Sequence, residues 1–314
     1  VKNLLVELFV EELPPKALKK LGEAFAAAIA DSLKAQGLAA INAAVTPFAS
    51  PRRLAVHVAG VQDKAADQEV EIKLMPAAVG LDGEGKPTQA LLKRAAALGI
   101  DLAAAGTAAI SNRIEGKAET LFAKTLRVGQ TLPDALQKAL DEAITKLPIP
   151  KVMTYQLHGN CAQPGWSSVN FVRPVHGLVA LHGTEVVPVS VLGLNAGRAT
   201  QGHRFEADVS PVSLRDADSY AAQMASEGAV IASFEERRSD IARQLHDAAA
   251  KIGGASTTLS TGTSSGLSTG VRPVEDEALL DEVTALVERP NVLIGRFDEE
   301  FLDVPQECLI LTMK

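Results

Sequence analysis

The sequence predicts an α+β fold: mainly antiparallel sheets with packed amphipathic helices, in at least two domains. Three observations carry that reading. Two pairs of strand-like runs meet across glycine turns, one around Glu115-Gly116 and one around His182-Gly183-Thr184, as antiparallel hairpins do. Several stretches repeat apolar residues at helical spacing, most cleanly Leu136, Leu140, Ile144 and Leu147. The 314 residues give room for two cores. Pro148 and Pro150 mark the best internal boundary, dividing the chain into 1–150 and 151–314.

In chain order, Leu4 to Val10 is a strand candidate closed by Glu11-Glu12, and Pro14 or Pro15 suits the first turn of a helix. Leu18, Leu21, Phe25, Ile29 and Leu33 give that helix its stripe, and Gly37 stops it. A second strand is expected from Leu54 to Val61, with Arg52 and Arg53 at its start as edge charges or phosphate contacts. Val70, Ile72 and Leu74 alternate with Glu69, Glu71 and Lys73, a half-buried strand. Gly80 to Lys86 imitates the glycine and lysine spacing of a phosphate loop. Pro87 stands where a magnesium-binding Ser or Thr is needed, however, and Asp82 and Glu84 would repel phosphates. The stretch therefore reads as an acidic turn ahead of a helix capped by Thr88. Asn112, Arg113, Lys117, Lys124 and Arg127 on the first hairpin fit one polar, cationic face and equally an ordinary solvated one.

The amphipathic helix of Thr131 to Leu147 ends at the prolines, and the runs Leu178 to Leu181 and Val186 to Leu192 pair as the second hairpin. A helix follows from about Asp216 to Ser226. The next opens on a capping box of Ser233 and Glu236, buries Ile241, Leu245, Ala248 and Ile252, and stops at Gly253-Gly254. Arg237, Arg238 and Arg243 on that helix are expected in solvent. Ala255 to Gly270 is low-complexity polar sequence, expected to be a mobile loop. Leu279, Leu280, Val283, Leu286 and Val287 form a last helical stripe, and Val292 to Ile294 a strand.

Hydrophobic residues make up 46% and charged residues 22%, the balance of an ordinary globular protein. A net charge of −7 excludes a surface that is one nucleic-acid-binding field, while permitting a local basic stripe. Cys161 and Cys308 are too few and too far apart for a disulfide framework, which points to a reducing, cytoplasmic setting. No apolar run approaches the roughly 18 residues of a membrane span. The chain stops inside the apolar pattern Leu309 to Lys314, and so is expected to continue into further domains.

The most informative stretch is Asn170 to Glu206. Its apolar runs are flanked by cationic loops, with Arg173 and His176 before them and Arg198, His203 and Arg204 after. Gly193, Gly197 and Gly202 keep the second loop open to close approach. Arginine forks and bare N–H groups at a sheet end suit phosphate or carboxylate. They suit equally a sheet rim whose arginines pair with local acids such as Glu206 and Asp208, and spacing alone favours that rim.

The order FVRPVH, LVAL, GR, GHRF resembles the signature region of the β subunit of bacterial glycyl-tRNA synthetase of the α2β2 type. LLVELFVEELPPKAL from Leu4, SPRRLAV from Ser50, GKPTQA from Gly85, VIASFEERRSDI from Val230, LLDEVTALVERP from Leu279 and GRFDEEFLDVPQECLILTMK from Gly295 resemble it in the same order. Thr154-Tyr155 departs from the family's usual Arg-Trp, and Arg289 from its Trp. The resemblance implies an α subunit and tRNA(Gly) as partners, and ATP with Mg used by the α subunit. It also implies a tRNA-binding and assembly role here, with the β chain continuing into largely helical domains. Under it, Arg173, Arg198, His203 and Arg204 contact RNA, with Arg52 and Arg53 as additions. Alternatives are a scaffold docking the α subunit or later β domains, and an editing-type hydrolytic module.

Catalytic and metal chemistry find no complete site. His203-Arg204-Phe205-Glu206 fits an arginine-x-acid pattern of class II synthetases, but no companion motif supplies a second arginine, so no adenylation site is assigned. His158 and Cys161 with His176, His182 and His203 lack a second ligand pair at matching spacing. Cys161 lacks a clear base.

Overall fold

The computed structural model describes residues 1–98, 110–115, 118–157, 167–256, 272–296, 298–305, 307–308 and 311. Strand β1 (Lys2–Val10) leads into α1 (Pro15–Ala35), and β2 (Val45–Ser50) and β3 (Arg53–Val61) follow. Next come β4 (Gln68–Pro76), α2 (Ala77–Gly80), α3 (Gln89–Ala97), β5 (Ile110–Glu115) and β6 (Ala118–Arg127). Helix α4 (Leu132–Lys146) precedes β7 (Met153–Gln156), β8 (Ser168–Phe171), β9 (Val175–His182) and β10 (Glu185–Val186). Four two-residue strands then appear: β11 (Ser190–Val191), β12 (Leu194–Asn195), β13 (Ala199–Thr200) and β14 (Val212–Ser213). The chain closes with α5 (Tyr220–Ser226), α6 (Phe234–Ser256), α7 (Glu277–Thr284) and a 3-10 turn at Glu299–Asp303. This is the expected α+β architecture.

The main sheet is antiparallel throughout, in the order β10-β9-β1-β3-β2. β1 is central and apolar on both faces, because both are covered. Leu4, Val6, Leu8 and Val10 join the core of α1 and α4, which includes Leu18, Phe25, Ile29, Leu136 and Leu140. Leu5 faces the other way, into a cluster with Val179, Leu181, Val212, Tyr220 and Met224. Period-2 alternation along the strand thus serves two helical layers. α1 approaches the sheet closely at Gly22, where a Cβ would lie 2.5 Å from that of Ala49. Thr131 caps α4 by accepting the Asp134 N–H at 3.5 Å.

The sheet joins segments from both sides of Pro150, since β9 pairs with β1 along most of its length. The separate core lies instead within 68–127. There β4, β6 and β5 form their own sheet, and Leu74, Leu91, Ala95, Leu121 and Ala123 pack together beneath α3. The acidic turn is as expected: Asp82 Oδ1 accepts the N–H groups of Glu84 and Lys86, and Lys86 pairs with Glu84 at 2.8 Å. Its carboxylates leave no cradle for a phosphate. Thr88 caps α3.

Four expectations change. The run Val186 to Leu192 is no continuous strand. The chain leaves β9 after Val187, whose N–H bonds Ala180 C=O; Gly197 takes the next groups of that edge, Leu178 C=O and Ala180 N–H, and residues 190–195 make a separate small hairpin, β11–β12. Its two-residue turn, Leu192-Gly193, has φ of 52° and 78°, the left-handed pair such hairpins need. Helix α6 runs through Gly253-Gly254 to Ser256, and its stripe is buried only at Ile241, with Leu245 and Ile252 exposed. Val292 to Ile294 forms no strand. Arg237 is fully buried rather than in solvent, and its Nη1 and Nη2 donate to the carbonyls of Ile231, Ala232, Ser233, Ala49 and Thr284. The tract 257–270, and with it most of the expected mobile loop, lies outside the described residues, as do Lys117, His158 and Cys161.

Candidate functional site

One end of the main sheet gathers four chain segments. β1 ends there at Val10, opposite Val175 of β9, and β3 begins there at Arg53, opposite Phe9. Backbone bonds fix the junction: Val10 N–H to Arg52 C=O at 2.8 Å, Glu11 N–H to Pro174 C=O at 2.9 Å, and Leu13 N–H to Pro51 C=O at 2.7 Å. Glu11 then projects between two basic side chains. His176 Nε2 lies 2.9 Å from one carboxylate oxygen and Arg204 Nη2 3.2 Å from the other. Arg173 reaches the same corner, its Nε donating to the Glu12 carbonyl at 3.1 Å. Arg204, His176 and Glu11 are each about half exposed, so these contacts are solvated and exchangeable.

The segment carrying His203 and Arg204 is a rigid turn. His203 N–H donates to Gly228 C=O at 2.7 Å. The His203 ring Nδ1 accepts the N–H groups of Phe205 and Glu206 at 3.3 and 3.2 Å, spending the ring on the turn rather than on a ligand. Gly202 is required by close approach, for a Cβ there would lie 2.6 Å from that of Ala207 and 2.8 Å from Gly228 O. Phe205, at the tip, is 90% exposed. A cleft of about 470 Å³ lies on one side of the tip, lined by Glu11, His176, Gly202 and Ser210 among others. A second of about 250 Å³ lies beside Glu12, Pro51, Leu286 and Arg289.

Arg52 and Arg53 are not edge charges, and their guanidinium groups are spent on acceptors within the chain, although Arg52 also lines both clefts. Both are buried. Arg52 donates to Glu288 through Nε at 3.2 Å and Nη2 at 2.7 Å, and Arg53 through Nη1 at 2.6 Å. Arg52 Nη2 also donates to Gly202 C=O at 3.0 Å, and Arg53 Nη2 to Gln201 C=O. Both guanidinium groups lie over Phe9, 5.3 and 5.2 Å from its centroid. Arg53 Nε stands 3.7 Å from Glu7, whose carboxylate accepts from Tyr220 Oη and Thr200 Oγ1. These residues are positioning groups: they fasten the 201–202 backbone from which the exposed turn springs.

Electrostatics follow from this burial. Desolvation alone would raise the Glu288 carboxyl, but Arg53 and Arg52 outweigh it and hold it below the ordinary range. Desolvation, reinforced by Glu7, pushes the Tyr220 phenol well up, so it stays a hydrogen-bond donor. Burial brings Arg237 down to about 10, still charged at neutral pH.

Arg198 stands apart. Its Nη2 donates to Thr184 C=O at 2.7 Å and its Nη1 to Leu214 C=O at 3.4 Å. Thr184 sits in the β9–β10 turn just past His182, the end of β9, which lies six residues or roughly 20 Å of strand from His176. The structure thus brings Arg173, His203 and Arg204 to one corner and leaves Arg198 bracing a hairpin at the other. Buried His182 lies at that far end too, its Nε2 2.9 Å from Val61 O and its Nδ1 3.2 Å from Asp63. No group of three His, Cys, Asp or Glu side chains suited to a metal occurs among the described residues. Nor is any helix among them long and apolar enough to cross a membrane.

Sequence reasoning missed Glu7, Tyr220, Arg237 and Glu288 as the frame of the corner, and Phe205 as its tip. One signal was available: Glu7 interrupts the apolar run LLVELFV, and a carboxylate inside a buried strand requires a partner.

A family model described as "Glycyl-tRNA synthetase beta subunit" matches residues 4–314. The chain belongs to the glycyl-tRNA synthetase β-subunit family. It is 63% identical over 315 residues to the glycine–tRNA ligase β subunit of Polaromonas naphthalenivorans, covering 100% of this chain and 42% of that protein. The protein of the same description from Dechloromonas aromatica is 65% identical over 315 residues, again 100% of this chain and 42% of the relative. That from Thiobacillus denitrificans is 61% identical over 312 residues, or 99% and 41%. The chain therefore spans about 42% of the length of these β subunits.

Proposed function

We propose that this chain supplies a tRNA-binding and assembly surface to glycine–tRNA ligase, working beside an α subunit that uses ATP and Mg to form the glycyl adenylate. One observation carries the reading. His176 and Arg204 are exposed at one sheet end, paired only with the solvated carboxylate of Glu11, and half-buried Arg173 stands beside them, its Nε and Nη1 donating to the Glu12 and Val172 carbonyls. An A-form stem is recognised through phosphates, 2′-hydroxyls and shape. A phosphate can take the place of Glu11 at little cost, because exposed pairs are worth about 0–1 kcal/mol. Arg52, Arg53 and Glu288 keep the corner preset, and Arg198 contributes only at the remote turn.

The test is a tRNA(Gly) titration of the full-length β subunit in complex with α, over a range of salt. Arg173→Glu with Arg204→Glu should weaken binding and shallow the dependence of log K on log salt by about one unit per lost contact. Unchanged affinity and slope refute the reading. Loss of co-elution with α on gel filtration, at unchanged affinity of free β for tRNA, would make the corner a subunit-docking site instead.

A further inference from the structure

We propose that Phe205 is a stacking platform for an unpaired nucleotide of the bound RNA, which docks in the cleft between the turn and His176. This rests on the RNA-binding reading above and adds the part of the RNA that the corner takes. Three features support it. Phe205 is 90% exposed and stands on a turn whose backbone is hydrogen-bonded around it. His203 Nδ1 holds its N–H, Gly228 holds that of His203, and the buried Arg52 holds the Gly202 carbonyl. A pre-ordered aromatic loses little freedom on binding.

Its surroundings choose the partner. The His203 ring stands edge-on at 6.2 Å, leaving a face of the phenyl ring free. Arg204 and His176 flank the tip on one side and Arg289 on the other, so hydrogen-bond donors for phosphate and ribose border an apolar plane. Interleaved cations and aromatic faces recognise splayed bases, whereas a paired stem offers no base face to stack on. The acids at the rim are Glu11, Glu12 and Glu206, and an RNA phosphate must draw Arg204 from Glu11 and Arg289 from Glu206, exposed pairs that are weak to begin with. The cleft of about 470 Å³ lies within the range of about 300–1,000 Å³ typical of small-ligand sites, and so admits one nucleotide.

The experiment uses the full-length α and β subunits together, with tRNA(Gly) as the probe. Phe205→Ala should weaken binding about 5- to 100-fold, the usual effect of removing one stacked base contact. Its salt slope should stay that of the wild type, because stacking releases no counterion. Phe205→Trp should restore affinity, and Phe205→Leu, equally apolar but without a π face, should not. Because the side chain is exposed, melting of all three should match the wild type. The proposal is overturned if Phe205→Leu binds as tightly as wild type or if Phe205→Ala is silent. A silent Phe205→Ala beside a weakened Arg173→Glu, Arg204→Glu variant would leave the RNA-binding reading standing and refute the stacking alone. Dissociation of α from the Phe205→Ala protein, at unchanged tRNA affinity, would assign the tip to a protein contact and equally refute it.

Discussion

Replacing Glu288 by Gln tests the frame of the corner. The carboxylate is 6% exposed and accepts three charge-assisted bonds, at 2.6, 2.7 and 3.2 Å, from Arg53 and Arg52. The buried charged side chains of this region are Arg52, Arg53 and Arg237 against Glu7 and Glu288, so removing Glu288 leaves three cations facing one anion. Breaking a buried pair by neutralising one partner costs about 3–5 kcal/mol, chiefly the uncompensated charge left behind. At about 2–3 °C per kcal/mol for a chain of this length, Glu288→Gln should melt roughly 6–15 °C below wild type at pH 7. As the control, Glu206→Gln, which removes only the exposed pair with Arg289, should stay within about 1 kcal/mol. The pH dependence has a definite sign. Glu288 has a lowered folded pKa, so its stabilisation is complete above the ordinary glutamate value of 4.5 and is lost as pH falls through the lower folded value. The wild type–variant gap should therefore be widest near neutrality and close in acid, as followed by thermal melts between pH 3 and pH 7. A gap under about 1 kcal/mol at pH 7, or one that does not narrow in acid, refutes the reasoning.

Tyr220→Phe removes one of the two hydroxyl donors to the buried Glu7 and should cost about 1–3 kcal/mol in a denaturant melt. Glu11→Gln releases Arg204 and His176 from their carboxylate; tRNA affinity of the αβ complex should rise, with a steeper salt slope, and a fall would argue against phosphate binding there. Gly202→Ala forces a Cβ to within 2.8 Å of Gly228 O, so it should displace the turn. It should cost about 1–3 kcal/mol of stability, with a loss of tRNA affinity that Arg198→Ala, at the far end of β9, does not reproduce.

Much of the main sheet was legible because its signals are local. Leu4 to Val10 and Leu54 to Val61 are β1 and β3, the Leu18 to Leu33 stripe is α1, and Thr131 caps α4. Misreadings occurred where a distant segment takes over a pattern, as Gly197 does by occupying the β9 edge groups at Leu178 and Ala180. Arg237 shows the converse. It lies four residues before Ile241 and three after Phe234, so helical geometry puts it on the buried face. Its charge argued for solvent, but five carbonyls, three from the segment entering α6, one from β2 and one from the end of α7, satisfy it inside. The spacing was the better guide than the residue type.

The corner itself was half legible for a related reason. Arg52, Arg53, Arg173, Arg198 and Arg204 look alike in sequence, and what separates them is where a carboxylate or carbonyl comes to rest after long-range folding. Glu288, 236 positions from Arg52, accepts from Arg52 and Arg53, and the Thr184 carbonyl accepts from Arg198. Glu11 holds Arg204 only at the surface. An arginine bound to a buried acid gives up several kcal/mol if it turns outward, whereas one bound to a solvated acid gives up about 1 kcal/mol or less. That difference separates Arg52 and Arg53, the fixed frame, from Arg204, the usable grip; Arg173 and Arg198 are held by backbone carbonyls instead. It also means that the frame and the grip fail differently: mutations in Arg52, Arg53 or Glu288 should lower stability and RNA affinity together, while mutations in Arg173 or Arg204 should lower affinity alone.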